Sequence, residues 1–206
     1  MARLVTFSAA YGAGGSVVAP AVAAALGFPF LDRAVPAARS AQVHPDAESA
    51  TEEERTEGFL TRLLSSFAAG PDGTAGVGAV VPGSRDEEVR RQAQARVEAF
   101  AASDGVVLGW GSTVVAKHAF HVRLEGPEEA RVRQAMWIGG IDEGTARRRR
   151  ADTDSVRETY LRRLYGRDWR DFSLYHLILD STAMPLEVCT DVVVAAARGF
   201  WERAPG

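Results

Sequence analysis

Residues 4–16 read Leu4-Val5-Thr6-Phe7-Ser8-Ala9-Ala10-Tyr11-Gly12-Ala13-Gly14-Gly15-Ser16, and residues 17–32 continue VVAPAVAAALGFPFLD. Leu4 to Phe7 is a short β-branched and aromatic run ending at Ser8, the pattern of a buried strand. Residues 9–15 form a glycine-rich loop. An alanine- and valine-rich helix is predicted from about Ser16 to Leu26, with Gly27 as its stop. Pro20 inside it lacks a backbone donor and predicts a kink. Phe28 to Leu31 reads as a second strand closing at Asp32. Strand, loop, helix and strand in that order open a parallel-sheet α/β fold of the nucleotide-binding kind.

A glycine-rich loop between strand and helix gathers several backbone N–H groups and the positive end of the helix dipole around one point, which favours an anion such as phosphate. Gly12, Ala13, Gly14, Gly15 and Ser16 are therefore candidate phosphate- and ATP-binding residues, a tight structural turn being the alternative. The standard phosphate loop ends in lysine followed by serine or threonine, which reach the phosphates and magnesium. With Gly12-Ala13-Gly14 as its final glycines, Gly15 stands at the lysine position and Val17 at the hydroxyl position. Ser16 carries a hydroxyl one place early. Charge neutralisation must come from elsewhere.

Outward from this unit, residues 46–57 are acidic and residues 59–68 amphipathic, while residues 70–83 read as a flexible loop. Residues 84–103 form a polar helix with Ser84 as N-cap and Glu87 as its capping-box partner. Val106 to Leu108 is a third strand, Phe120 to Leu124 a fourth and Tyr175 to Leu179 a fifth. Residues 127–166 are helical and dense in arginine, and Pro185 to Trp201 is a closing amphipathic helix. The chain has 206 residues, suited to one α/β domain over residues 1–206. Its formal net charge of −3 argues against a general nucleic-acid binder. The single cysteine, Cys189, excludes an intrachain disulfide. No apolar run is long enough to span a bilayer. These features predict a soluble cytoplasmic protein with no membrane or nucleic-acid partner. A homo-oligomer is compatible with the pattern, but nothing points to one.

The chain resembles the cytidylate kinase-like family, a divergent branch of the P-loop nucleoside-monophosphate kinases. The resemblance rests on Ser8, Tyr11-Gly12-x-Gly14-Gly15, and Leu26-Gly27-Phe28-Pro29-Phe30-Leu31-Asp32. It continues through Val106-Val107-Leu108-Gly109-x-Gly111, His121-Val122-Arg123-Leu124 and Asp154-x-x-Arg157-x-x-Tyr160. It closes with Tyr165-Gly166-x-Asp168-Trp169-x-Asp171 and residues 174–182. It implies a P-loop kinase fold with a central five-stranded parallel sheet, a helical acceptor-binding segment over residues 33–103 and an arginine-bearing lid over residues 142–170. It also implies ATP as donor, with magnesium held mainly by phosphates and water, and a nucleotide or other small molecule as acceptor.

The sequence departs from that family where charge is expected. Ala9, Ser16 and Trp110 each stand where the family usually has arginine, and Ser155 sits where arginine is common. Phosphoryl transfer requires positive charge against the equatorial oxygens. Arg157 and Asp154 are the catalytic candidates, singled out by the family spacing. Of the run Arg147 to Arg150, at most one or two side chains can face a ligand, because four consecutive helical residues point around the helix. Asp32, Gln92, Arg96 and Trp110 are candidate acceptor-binding residues. Asp32 can equally be a turn aspartate, and Gln92 and Arg96 solvated helix positions. His118 and His121 straddle a helix end and a strand, so no metal site is predicted. Trp169 and Tyr175 read as core, and Cys189 as inert.

Three functions follow from these residues. The first is ATP-dependent phosphoryl transfer to a nucleoside monophosphate resembling CMP or dCMP. The second is a kinase for another small hydroxylated metabolite, for which Trp110 would offer stacking in place of anion pairing. The third is a non-catalytic nucleotide sensor that kept the fold. The retained arginines lean toward an enzyme.

Overall fold

A computed structural model describes residues 2–32 and 84–203. The acidic and amphipathic segments of residues 46–68 and the loop of residues 70–83 lie outside the described residues, as does most of the expected acceptor-binding segment. Five strands form one parallel sheet: β1 (Leu4–Ala9), β2 (Phe30–Asp32), β3 (Gly105–Leu108), β4 (Phe120–Glu125) and β5 (Leu177–Asp180), in the order β2-β3-β1-β4-β5. The helices are α1 (Gly15–Leu26), α2 (Ser84–Phe100), the short α3 (Ser112–Val115), α4 (Glu128–Gly139), α5 (Glu143–Tyr165) and α6 (Leu186–Arg203).

All six residues of β1 are buried, as expected for a central parallel strand covered on both faces. On one face Val5, Phe7 and Val122 pack with Val18 and Val22 of α1, Tyr160 of α5 and Cys189 and Val193 of α6. On the other, Leu4 and Val107 pack with Val97 of α2 and with Ala116 and Ala119. Fully burying a side chain the size of Phe7 stabilises by about 1.5–3 kcal/mol, so β1 is the element whose loss would cost the sheet most.

Element boundaries differ from the sequence expectation by up to three residues, the polar helix ending at Phe100 rather than at residue 103. Strand β2 starts at Phe30 because the N–H of Phe28 returns to Ala23 O at 2.9 Å, closing α1. Gly27, at φ 69°, caps that helix, which runs on through Pro20. Strand β5 starts at Leu177 because Phe172–Leu174 forms a 3₁₀ turn whose carbonyl at Phe172 accepts from the N–H of Tyr175. The arginine-dense stretch is two helices, broken at Gly140 (φ 61°), with Asp142 capping the second by accepting from Thr145 N–H at 2.9 Å.

A polar cluster runs from buried Thr6 and His121 to the more exposed His176. Thr6 Oγ1 is 2.7 Å from His121 Nδ1, and the backbone N–H of His121 donates to His176 Nδ1 at 2.9 Å. The two imidazoles stack at 5.0 Å. Burial first, and then the nearby His176, push His121 down to about 4 from an ordinary value of 6.5, so it is neutral at pH 7. A base whose folded value is depressed contributes stability that is present above its unfolded value and is lost as pH falls toward its folded value. His121 should therefore titrate near pH 4 when followed by NMR at its C2 proton, with stability in urea falling between about pH 6.5 and 4. A midpoint above pH 6 would contradict this packing.

Candidate functional site

The chain leaves β1 toward β2 on one side of the sheet and leaves β3 toward β4 on the other, so β1 and β3 flank the point where the winding reverses. Open parallel sheets bind ligands at the carboxyl ends of such strands. A cavity of about 120 Å³ lies there, between residues 9–16 after β1, Leu108, Gly109 and Trp110 after β3, and Ala135 and Ile138 of α4 with Arg149, Thr153 and Arg157 of α5. This is well below the roughly 300–1,000 Å³ of pockets for drug-sized ligands, so its described walls suit a phosphate group rather than a whole nucleotide.

The loop is shaped around its glycines. Gly14, at φ 71°, is the N-cap of α1, and its carbonyl accepts from both Val17 N–H at 3.0 Å and Val18 N–H at 2.9 Å. The amides of Gly12, Gly14, Gly15 and Ser16 make no hydrogen bond to any described residue, the ordinary condition of a helix start aimed at an anion. Ala13 is the exception among the expected phosphate-binding residues. It is fully buried, its N–H donates to Ala10 O at 3.0 Å, and its carbonyl accepts from Ser181 Oγ at 2.7 Å.

Two close approaches fix this shape. A Cβ on Gly12 would lie 2.1 Å from the carbonyl oxygen of Arg131, so α4 rests directly on the loop. A Cβ on Gly15 would lie 2.5 Å from the Cβ of Ala9, so the position of the usual lysine has no room for any side chain.

Positive charge arrives from α5 and its neighbours. Arg157 is 5% exposed, with Nε and Nη1 buried and without hydrogen-bond partners among the described residues. Its guanidinium lies over the rings of Trp110 at 5.2 Å and Trp169 at 5.5 Å. Burial is the main cause pushing it down to about 10, against the opposing pull of Asp154, so it stays protonated at neutral pH. Arg149, Thr153 and Arg157 are spaced four apart and share the face of α5 that lines the cavity. Of the other arginines in the run, Arg147 pairs with Glu129 and Glu143, Arg148 bonds Thr145, and Arg150 pairs with Glu128.

Asp154 points to the loop rather than the cavity. Its Oδ1 accepts from Tyr11 N–H at 3.1 Å, and its Oδ2 accepts from Arg131 Nη1 at 2.9 Å. Trp110 lines the cavity, with one side toward Arg157 and Tyr160 in edge contact at 5.8 Å. Asp32 ends edge strand β2 beside Leu108, and Gln92 and Arg96 are exposed on α2; none of these three lines the described cavity. Sequence reasoning missed Arg131, and it neither separated Arg149 from the run Arg147 to Arg150 nor singled out Thr153. The four-residue spacing back from Arg157 would have found Arg149 and Thr153 once α5 was known to be one helix. Trp169 is core, as expected, and is also stacked by the buried Arg123 at 4.3 Å. Among the described residues no group of three or more metal-binding side chains comes together, and no helix is long and apolar enough to cross a membrane.

The parallel sheet with a glycine loop after β1 and arginines from the helix pair α4–α5 defines a kinase-like phosphotransferase of the P-loop kind. A model of the cytidylate kinase-like family matches residues 4–183, and the chain belongs to that family. Among curated proteins none matches the sequence. Among solved structures, an uncharacterised protein from Eubacterium ventriosum aligns over 95% of this chain and 98% of its own, with 13% identity and a TM-score of 0.64. A gluconokinase from Sinorhizobium meliloti aligns over 98% of this chain and 94% of its own, with 18% identity and a TM-score of 0.50. At these identities the likeness is one of fold.

The contact between Ala9 and Gly15 sets an expectation for the missing lysine. Gly15→Lys should destabilise the protein by about 1–3 kcal/mol, the cost of overpacking a filled site, and should not raise ATP affinity. Ala9→Gly in the same chain should restore most of that loss. Urea denaturation of the three variants checks both, and a Gly15→Lys protein as stable as the parent would show that the loop has room.

Proposed function

We propose that the chain transfers the γ-phosphoryl group of ATP to a nucleoside monophosphate, with cytidine or deoxycytidine monophosphate first among acceptors. The observation that carries this reading is Arg157, a buried cation whose Nε and Nη1 find no hydrogen-bond acceptor among the described residues, beside the open amides of Gly12, Gly14, Gly15 and Ser16. A buried guanidinium is costly unless an anion or acceptor completes its hydrogen bonds, and a phosphate at the loop would do so. The residues fit such a group: Gly12, Gly14, Gly15 and Ser16 present amides that no described residue occupies. ATP with magnesium, when bound, supplies the transferable phosphoryl group and neutralises part of its charge. Magnesium, when bound, would be held mainly by phosphates and water.

In this reading the loop amides orient the donor phosphates, and Arg157 faces the group in transfer. Arg149 adds a second cation from the same helical face, and the hydrophobic surround of Trp110, Ala135 and Ile138 excludes water. Trp110, Asp32, Gln92 and Arg96 belong to the acceptor side. Because Arg157 lies against its ring, Trp110 serves as a support for that cation more than as a free stacking surface, which weighs against the small-metabolite reading.

A second reading is a nucleotide sensor without catalysis, favoured by the absence of space for a lysine at Gly15. Turnover decides. Arg157→Ala should lower ADP release, measured across a panel of monophosphates and small hydroxylated acceptors, by about 10³-fold, while ATP affinity stays within about tenfold, since the contact strengthens in the transition state. ATP binding without turnover on any acceptor would favour the sensor. No binding of ATP would remove both readings.

A further inference from the structure

We propose that Asp154 and Arg131 are positioning residues that hold the phosphate loop in its binding shape, doing from α5 and α4 what the loop's own sequence does not do with a lysine. The proposal rests on the loop being the donor-phosphate site.

The two side chains close a ring around one residue of the loop. Tyr11 donates its N–H to Asp154 Oδ1 at 3.1 Å, and its carbonyl accepts from Arg131 Nη1 at 2.8 Å. The same Nη1 donates to Asp154 Oδ2 at 2.9 Å, while Arg131 Nε donates to Gly126 O at 3.1 Å, anchoring the ring to the end of β4. Both side chains are about nine-tenths buried, at 11% and 12% exposure. With both backbone groups of Tyr11 held, its peptide planes cannot turn freely. Gly12 follows at φ 76° with its Cα against the α4 backbone, so the direction of the next amides is set from α4 and α5.

Asp154 also lies 3.5 Å from Arg157 Nη1. One carboxylate thus registers the loop against the cavity cation, and its single negative charge is shared between two buried guanidinium groups. That leaves net positive charge beside the loop, which suits an incoming phosphate. Arg131 suits this role better than lysine would, because only its fork reaches Gly126, Tyr11 and Asp154 together.

The test combines hydrogen exchange of residues 9–16 with calorimetric titration of magnesium-ATP, on Asp154→Asn, Arg131→Lys, Arg131→Met and the Asp154→Asn/Arg131→Met pair. Losing a hydrogen bond to a charged group corresponds to about a 10- to 100-fold effect. Exchange of the hydrogen-bonded loop amides, those of Ala10, Tyr11 and Ala13, should speed by that factor in each variant, with slow exchange retained in β4. ATP affinity should fall about 10-fold or more, equally for Arg131→Lys and Arg131→Met, and the pair should be little worse than either single variant. A lowered Tm with unchanged loop exchange and unchanged ATP affinity would reduce the ring to a structural strut and overturn the proposal. So would tighter ATP binding in Asp154→Asn, the sign expected if the carboxylate only competes with phosphate. If the parent protein binds no ATP, the functional reading fails, and the exchange comparison still decides whether the ring orders the loop. Asp154→Asn keeps the shape of the side chain, so it provides the answer should Arg131→Met not fold.

Discussion

Burying a guanidinium removes hydration worth several kcal/mol, which the protein must replace with charge, hydrogen bonds or aromatic faces. This chain buries Arg123, Arg131 and Arg157 at the carboxyl end of one sheet. Arg123 is satisfied by Glu125, by the carbonyl of Trp169 and by the Trp169 ring. Arg131 is satisfied by two carbonyls and Asp154. Arg157 alone is left with aromatic faces and a more distant carboxylate. The gradient runs from fully compensated to incompletely compensated charge, and it ends at the cavity.

That arrangement ties α4 and α5 to the sheet. In many nucleotide kinases mobility of such a region gates the reaction by excluding water. Here α4 touches the loop backbone itself, and the cavity between them is small.

Much of this fold was legible because its first unit obeys local rules. The run from Leu4 to Phe7 lies in a strand buried throughout, and Gly14 and Gly27 bracket α1 as a helix start and stop should. Of the four-arginine run Arg149 is the one that lines the cavity, because four consecutive helical residues point around the helix. What escaped the sequence was long-range. Nothing local marks Arg131 as a partner of Tyr11, 120 residues away. The roles of Thr6 and His121 likewise depend on strand register, not on spacing. Trp110 suggested a stacking surface until the packing put Arg157 against it.

The contact between Ala9 and Gly15 also constrains how such a sequence can change over generations. A lysine at Gly15 meets a methyl group 2.5 Å from its first carbon, and a larger residue at Ala9 would crowd Gly15 in the same way. Each position is acceptable only while the other stays small. A lineage with this pair cannot regain the usual phosphate-loop lysine by one mutation, because the single-step intermediate is strained. Selection on nucleotide handling is thereby diverted to the residues of α4 and α5, where arginines can be gained or moved one at a time.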